Sequence, residues 1–397
     1  MITVVDSIMG SGKTSWAIQY MSEAGTDQRF IYITPFLDEV KRVMDKTKVF
    51  KDFLSPQIKR GSKMNNLKEL IAEGKNIVAT HSLFQAADDE LIELLDGAGY
   101  TLILDEVMTV IEQAPVKVSD VKLLIEKEIV RVENNRVIWQ LYPYDDGLFA
   151  DIKRLAESGN LFMHRNQFLI WSFPARIFPT FDNVFILTYL FDGQIQRYYY
   201  DLHGIKYEYK SVKRNGDRYD LTEYNRDNED RESLKQLITI YEGKLNEIGD
   251  RRNALSATWL KNANDKTIDR LKKNLYTFFR RHCGSKTNEN LWTTLKARQN
   301  ALKGKGYAKS FLHVTARATN EYGDRQYLAY VYNRFMSPIE KAFFEDAGVR
   351  VNEDLLALSD LLQWVWRARI RNGESITVYI PSSRMRNLFK YYLDKKI

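Results

Sequence analysis

Lys13 and Thr14 close a Gly10-Ser11-Gly12 loop that follows directly on the apolar, β-branched run from Ile2 to Val5. A strand, a glycine-rich loop and a helix start in that order form a cradle for nucleotide phosphates. The glycines let backbone N–H groups close on phosphate oxygens, with Ser11 between them; Lys13 would neutralise the β and γ charge, and the Thr14 hydroxyl would ligate Mg2+. The strict pattern opens with glycine where this chain has Ser7, so the match is to the relaxed form. Far downstream, Asp105 and Glu106 end the apolar run from Tyr100 to Leu104. Asp105 would hold the metal that bridges the phosphates, and Glu106 would polarise an attacking water. An acidic pair after an apolar run is by itself an ordinary turn start. Joined to Lys13 and Thr14 it completes a site for hydrolysis of ATP or GTP, with Mg2+ arriving on the nucleotide.

These groups need strands that end at one edge and helices that start there. The first half alternates accordingly: Phe30 to Thr34 reads as a strand, followed by Pro35 and a helix through Val43. Residues 65–73 read as a helix, and Asn76 to Thr80, Leu102 to Leu104, Phe168 to Ser172 and Val184 to Tyr189 as strands. Such alternation predicts a doubly wound, largely parallel sheet. Tyr198 to Val212 alternates aromatic and polar residues like a strand pair, and the polar stretch 213–231, with Asn215-Gly216-Asp217, reads as a surface loop near a domain junction. A second α/β set follows, with strands expected at Ala254 to Trp259, Ser310 to Val314, Tyr327 to Tyr332 and Ile376 to Ile380.

The ordered motifs resemble the helicase core of superfamily 2, the DEAD/DEAH-box proteins and their relatives, in the compact versions that tailed bacteriophages encode. The resemblance implies two tandem RecA-like parallel-sheet domains, residues 1–200 and 201–397, with the ATP site at their interface. Thr34-Pro35-Phe36 resembles motif Ia and Thr80-His81-Ser82 the Ib-type segment, both implied to touch a nucleic-acid backbone. For His81 a plain loop histidine is the competing reading. Thr188 stands at the place of motif III, and Ala254 to Trp259 at that of motif IV. Arg317 to Gln326 resembles motif V, implying Thr319 and Asn320 as nucleic-acid contacts and Asp324 as a nucleotide contact. Gln363-Trp-Val-Trp-Arg367-Ala-Arg369-Ile-Arg371 resembles motif VI without its glycines. Gln363, Arg367 and Arg371 are implied to be catalytic, because a guanidinium opposite the γ-phosphate stabilises charge built up in hydrolysis. Arg369 and Arg371 both qualify as the finger; Arg371 is favoured because Arg367 lies four residues before it on one helical face. DNA is expected over RNA, since the glutamine motif that DEAD-box RNA helicases carry upstream of the cradle has no counterpart before Ile2.

Composition narrows the alternatives. The chain has 397 residues, 44% hydrophobic, enough for two domains. Its single cysteine, Cys283, precludes an internal disulfide, and its five histidines show no i,i+4 pair for zinc. No run of about eighteen apolar residues occurs and no leader precedes the first strand, so a cytoplasmic protein without membrane contact is expected. The net charge of +7 points to an anionic partner, nucleic acid first, and replication or recombination proteins as further partners. Basic pairs between 251 and 305 interleave with Tyr276, Phe278, Phe279 and Trp292, a mix suited to phosphates and bases. Ile268, Leu271, Leu275 and Phe279 also recur at helical spacing, which equally fits an amphipathic helix with a solvated face. Competing classes are a terminase-like packaging ATPase, a small-molecule kinase, and an ATP-driven switch or loader that does not unwind. The first would need clustered nuclease carboxylates, the second no arginine element; the third shares every motif above.

Overall fold

A computed structural model of the chain describes residues 1–59, 61–144, 146–314 and 321–397. The chain is mixed α/β and divides into two compact units: Met1–Ser7, Ser11–Tyr224 and Ser337–Val351 in one, Ile8–Gly10, Asn225–Met336 and Asn352–Ile397 in the other. The main boundary thus falls after Tyr224 rather than at 200, and a late segment returns to the first unit.

In chain order the strands are β1 (Ile2–Asp6), β2 (Arg29–Thr34), β3 (Phe53–Leu54), β4 (Asn76–Thr80), β5 (Tyr100–Asp105), β6 (Ile111–Gln113), β7 (Val130–Glu133), β8 (Arg136–Trp139), β9 (Leu161–His164), β10 (Phe168–Ser172), β11 (Asn183–Thr188), β12 (Glu208–Asn215), β13 (Arg218–Glu223), β14 (Ile238–Ile240), β15 (Asn290–Thr293), β16 (Tyr327–Tyr330) and β17 (Ile376–Tyr379). The first unit holds an eight-stranded sheet in the order β13-β12-β1-β11-β5-β2-β4-β3. Every pairing in it is parallel except the β12–β13 hairpin. Buried runs such as Phe30-Ile31-Tyr32-Ile33 show why the parallel reading works: a sheet covered on both faces has no polar side to alternate with. One face is closed by α1 (Lys13–Glu23) and α2 (Leu37–Thr47), whose Trp16, Ala17, Met21, Val40 and Val43 pack with Val5, Tyr32, Val78, Ile103 and Leu187.

Between β5 and β11 the chain builds a separate five-stranded sheet, β6-β10-β9-β8-β7, that is antiparallel throughout. Phe168 to Ser172 is therefore a strand, as its composition predicts, but of this sheet and not of the parallel one. Two hairpin signals precede it: Asn134-Asn135 and Arg165-Asn166 all have positive φ, the backbone of the tight turns that join antiparallel strands. The second unit holds a four-stranded parallel sheet in the order β14-β17-β16-β15.

Several expected elements differ. Tyr198 to Val212 is not a strand pair: its start belongs to the helix Ile195–Leu202, with Tyr198, Tyr199 and Tyr200 buried, and only its end, from Glu208, is a strand; the aromatic run favours strands by propensity but not here. Of the polar stretch 213–231, residues 213–223 are not a loop but the rest of the β12–β13 hairpin, turning at Gly216-Asp217, while 224–230 form the connection at the unit boundary, with a 3-10 turn at Arg226–Asn228. Ala254 to Trp259 is not a strand, because Ser256 accepts a hydrogen bond from the Trp259 N–H and caps the helix Ala257–Asn262. Ser310 to Val314 makes only a single bridge, Phe311 to Trp292. In the basic region the helical reading wins: Ile268, Leu271, Leu275, Phe278, Phe279 and Trp292 are core, leaving Tyr276 exposed.

Candidate nucleotide site

At the carboxyl edge of the eight-stranded sheet, β1 runs into the glycine loop and α1 begins at Lys13. Gly10 and Gly12 have φ of 86° and 96°, a left-handed backbone that costs other residues about 1–2 kcal/mol. A Cβ on Gly12 would also lie 2.1 Å from the ring of Tyr219, on β13. Gln19 of α1 exchanges two hydrogen bonds with the Tyr219 backbone, so the hairpin braces the loop. Ser7, the departure from the strict pattern, is used by the fold: its hydroxyl accepts from the Val212 N–H at 2.8 Å, and its carbonyl accepts from Lys13 Nζ at 2.5 Å.

The preceding residue, Asp6, carries no sequence signal yet anchors the site. Its buried carboxylate accepts from the N–H groups of Leu190 and Phe191 at 3.0 and 2.9 Å, tying the end of β11 to the start of the loop. Leu190 holds the required turn in a left-handed backbone, with φ of 55°.

The parallel register brings Asp105 of β5 to the same edge. Its Oδ2 accepts from the Thr14 hydroxyl at 3.2 Å and from the Tyr32 hydroxyl at 2.7 Å. Burial pushes the Asp105 carboxyl up to about 6; the Tyr32 hydrogen bond opposes that rise, and the neighbouring charges of Glu106 and Glu39 add to it. Glu106 follows with φ of 69°, its N–H donating to the Leu187 carbonyl. Ser11 Oγ, Glu106 Oε2 and Thr188 Oγ1 are buried atoms with no hydrogen-bond partner among the described residues. An unsatisfied buried polar group costs about 1–3 kcal/mol. Several at one strand edge, beside a lysine and a helix amino terminus, fit a polyanionic ligand with its cation: Thr14 and Asp105 would hold Mg2+, and the loop amides and Lys13 the phosphates.

Of the residues with an implied nucleic-acid role in this unit, Pro35, Phe36, Thr80 and Ser82 line one cavity of about 640 Å3 with Leu37, Asp38, Lys63 and Leu83. Phe36 is 44% exposed there. Thr34 is completely buried below it, and the His81 ring turns inward, its Nε2 3.1 Å from the Asp105 carbonyl oxygen. Both sit behind the surface rather than on it.

In the second unit, the motif VI-like segment is not one helix. The helix Glu353–Val365 ends before Arg367, Ala368 is extended, and a short 3-10 turn spans Arg369–Asn372. The shared helical face invoked for Arg367 and Arg371 therefore does not exist. Gln363, Trp364 and Trp366 are core. Arg369 donates to the Ser375 carbonyl at 2.6 Å and to its hydroxyl at 3.3 Å, while the Arg371 side chain is exposed. Asp324 is exposed and paired with Arg325. Thr319, Asn320 and Arg317 lie outside the described residues.

Compared with known sequences, the chain is 41% identical over 408 residues to the SPbeta prophage-derived protein YonV of Bacillus subtilis (strain 168), covering 100% of this chain and 99% of the relative. The chain belongs to the YonV family. Two models of that family match in sequence: the YonV middle domain over residues 111–171, which is the antiparallel sheet, and the YonV C-terminal Rossmann-like domain over 232–393. Among solved structures, the chain's fold is similar to apo XPD, with a TM-score of 0.55 at 10% identity over 99% of this chain and 95% of that one. The DUF1998 helicase MrfA bound to DNA and AMPPNP matches at a TM-score of 0.37, 10% identity and 48% of its own length, too loosely to establish a common fold. No helix among the described residues is long and apolar enough to cross a membrane.

Proposed function

We propose that this YonV-family protein is an ATP hydrolase of the superfamily 2 helicase kind, stimulated by nucleic acid and acting on DNA in phage replication or recombination. The observation that carries the reading is the meeting of Thr14 and Asp105 at 3.2 Å beside the Lys13 loop, since no purely structural need puts a half-buried carboxylate there. The loop amides and Lys13 would bind the triphosphate, and Thr14 and Asp105 would hold Mg2+, which would supply neutralisation of phosphate charge. Glu106 would orient water for attack on the γ-phosphorus, with ADP leaving. A guanidinium of the second unit, Arg371, would stabilise the charge on the transferred group, and Asp324 would contact the nucleotide.

Nucleic acid would lie along the Phe36 cavity, with Thr80, Ser82 and Lys63 taking phosphates and the Phe36 ring meeting a base. Contacts of that kind read backbone and not sequence, so binding should weaken steeply with salt. Fluorescent ATP binding with Mg2+, followed by strand displacement on forked DNA, tests the reading. Binding without displacement reduces it to an ATP switch or loader, and absence of binding removes it.

A further inference from the structure

Tyr32, like Thr14, donates its hydroxyl hydrogen to the Asp105 carboxylate, and nothing in the motifs singles it out. It sits mid-strand in β2, where its Cα is in register with Ile103 of β5 and Val78 of β4. Side chains in register on parallel strands share a face, so Tyr32 and Ile103 point toward the α1 and α2 side, as does Asp105 two residues beyond Ile103. Two residues of strand span about 6.6 Å. A phenol is long enough to cover that step from inside the core, and a phenylalanine ring, lacking the hydroxyl, is not.

The ring itself belongs to the hydrophobic cluster with Trp16, Val40, Val43 and Val78, and is completely buried. Phenylalanine would fill that space equally well and spare the chain a buried hydroxyl. The hydroxyl is instead aimed at the Oδ2 atom that also faces Thr14. A carboxylate with two donors on one oxygen has a fixed rotamer and leaves its Oδ1 edge for another partner. Groups that hold a metal ligand in this way set its orientation and its basicity, and their loss typically costs about 10–100-fold in metal affinity.

We infer that Tyr32 is a positioning residue for the metal ligand Asp105, holding its carboxylate in the orientation that receives the Mg2+ of a bound nucleotide. The inference rests on the proposed nucleotide reading and adds a residue to it. The substitution that isolates the hydroxyl is Tyr32→Phe, and the measurement is the Mg2+ titration of fluorescent ADP binding, with the metal-free affinity read in EDTA and the melting temperature read alongside. Tyr32→Phe should move the Mg2+ midpoint up by about tenfold and leave metal-free ADP affinity within about twofold, since the loop amides and Lys13 do not touch Tyr32. Asp105→Asn should shift the same midpoint further, and adding Tyr32→Phe to it should shift little more, because the two act through one carboxylate.

An unshifted midpoint in Tyr32→Phe overturns the inference. So does an equal loss of affinity with and without Mg2+, which is the signature of a general packing role. A wild-type protein that binds no ADP at all overturns the nucleotide reading instead, and this one falls with it.

Discussion

The lysine-bearing edge of the first unit and the arginines of the second unit differ in how far the fold itself occupies their charged groups. At the edge of the eight-stranded sheet, Ser11, Glu106 and Thr188 keep buried polar atoms unsatisfied around Lys13, Thr14 and Asp105. In the second unit Thr293, Thr294 and Gln363 also keep buried polar atoms without a hydrogen-bond partner among the described residues, but several arginines are spent on the fold itself: Arg334 pairs with Asp360, Arg384 with Asp354, Arg386 donates to the carbonyls of Ile380 and Pro381, and Arg369 to Ser375. The contrast teaches that a basic residue in a motif-like position is informative only once its partners are known. Arg369 and Arg371 are interchangeable as letters, yet one secures the entry into β17 and the other is exposed.

That contrast can be broken by substitution, beginning with the cradle. Lys13→Ala should remove nucleotide binding, on the order of 100-fold or more in affinity, seen by titration with a fluorescent ATP analogue. Glu106→Gln should lower kcat by roughly 10⁴-fold, the upper end for loss of a general base, with nucleotide affinity kept. Arg371→Ala should lower kcat by about 10³-fold with little change in ATP affinity, as expected for a group acting only on transition-state charge. Arg369→Ala sharpens the comparison from the other side. It should cost about 1–2 kcal/mol of stability through its lost hydrogen bonds and leave kcat within a few-fold. If Arg369→Ala is the catalytically dead variant, the two arginines have been assigned the wrong way round.

The smallest effect concerns Asp105. Its folded carboxyl titrates at about 6 against 3.8 for the ordinary group, so the folded state holds a proton that the unfolded chain has already released. This group's stabilisation is full below 3.8 and is lost as pH rises through about 6. Melting temperatures from pH 4.5 to 7 should therefore fall less steeply with rising pH in Asp105→Asn than in the wild type.

The cradle and the acidic strand were legible because their chemistry demands particular residue types at fixed spacing next to apolar β-branched runs. The parallel sheet followed from those same runs. The antiparallel insert of residues 111–171 was less visible, because short half-exposed strands such as Val130–Glu133 carry a weak alternation and their hairpin signals lie in Asn-Asn and Arg-Asn, not in Asn-Gly. Tyr198 to Tyr200 misled because a run of aromatic residues favours strands by propensity even where it forms a helix. Asp6 and Tyr32 were invisible: each acts through a single hydrogen-bonded carboxylate, and only the register of neighbouring strands reveals the partner. His81 was expected to touch nucleic acid, and the fold turns it onto Asp105 instead.

The most direct test is ATP turnover by the purified chain, with and without single-stranded DNA, beside Lys13→Ala. The account predicts hydrolysis that rises with DNA in the wild type and is lost in the variant. Equal turnover in both proteins, unmoved by DNA, would contradict it.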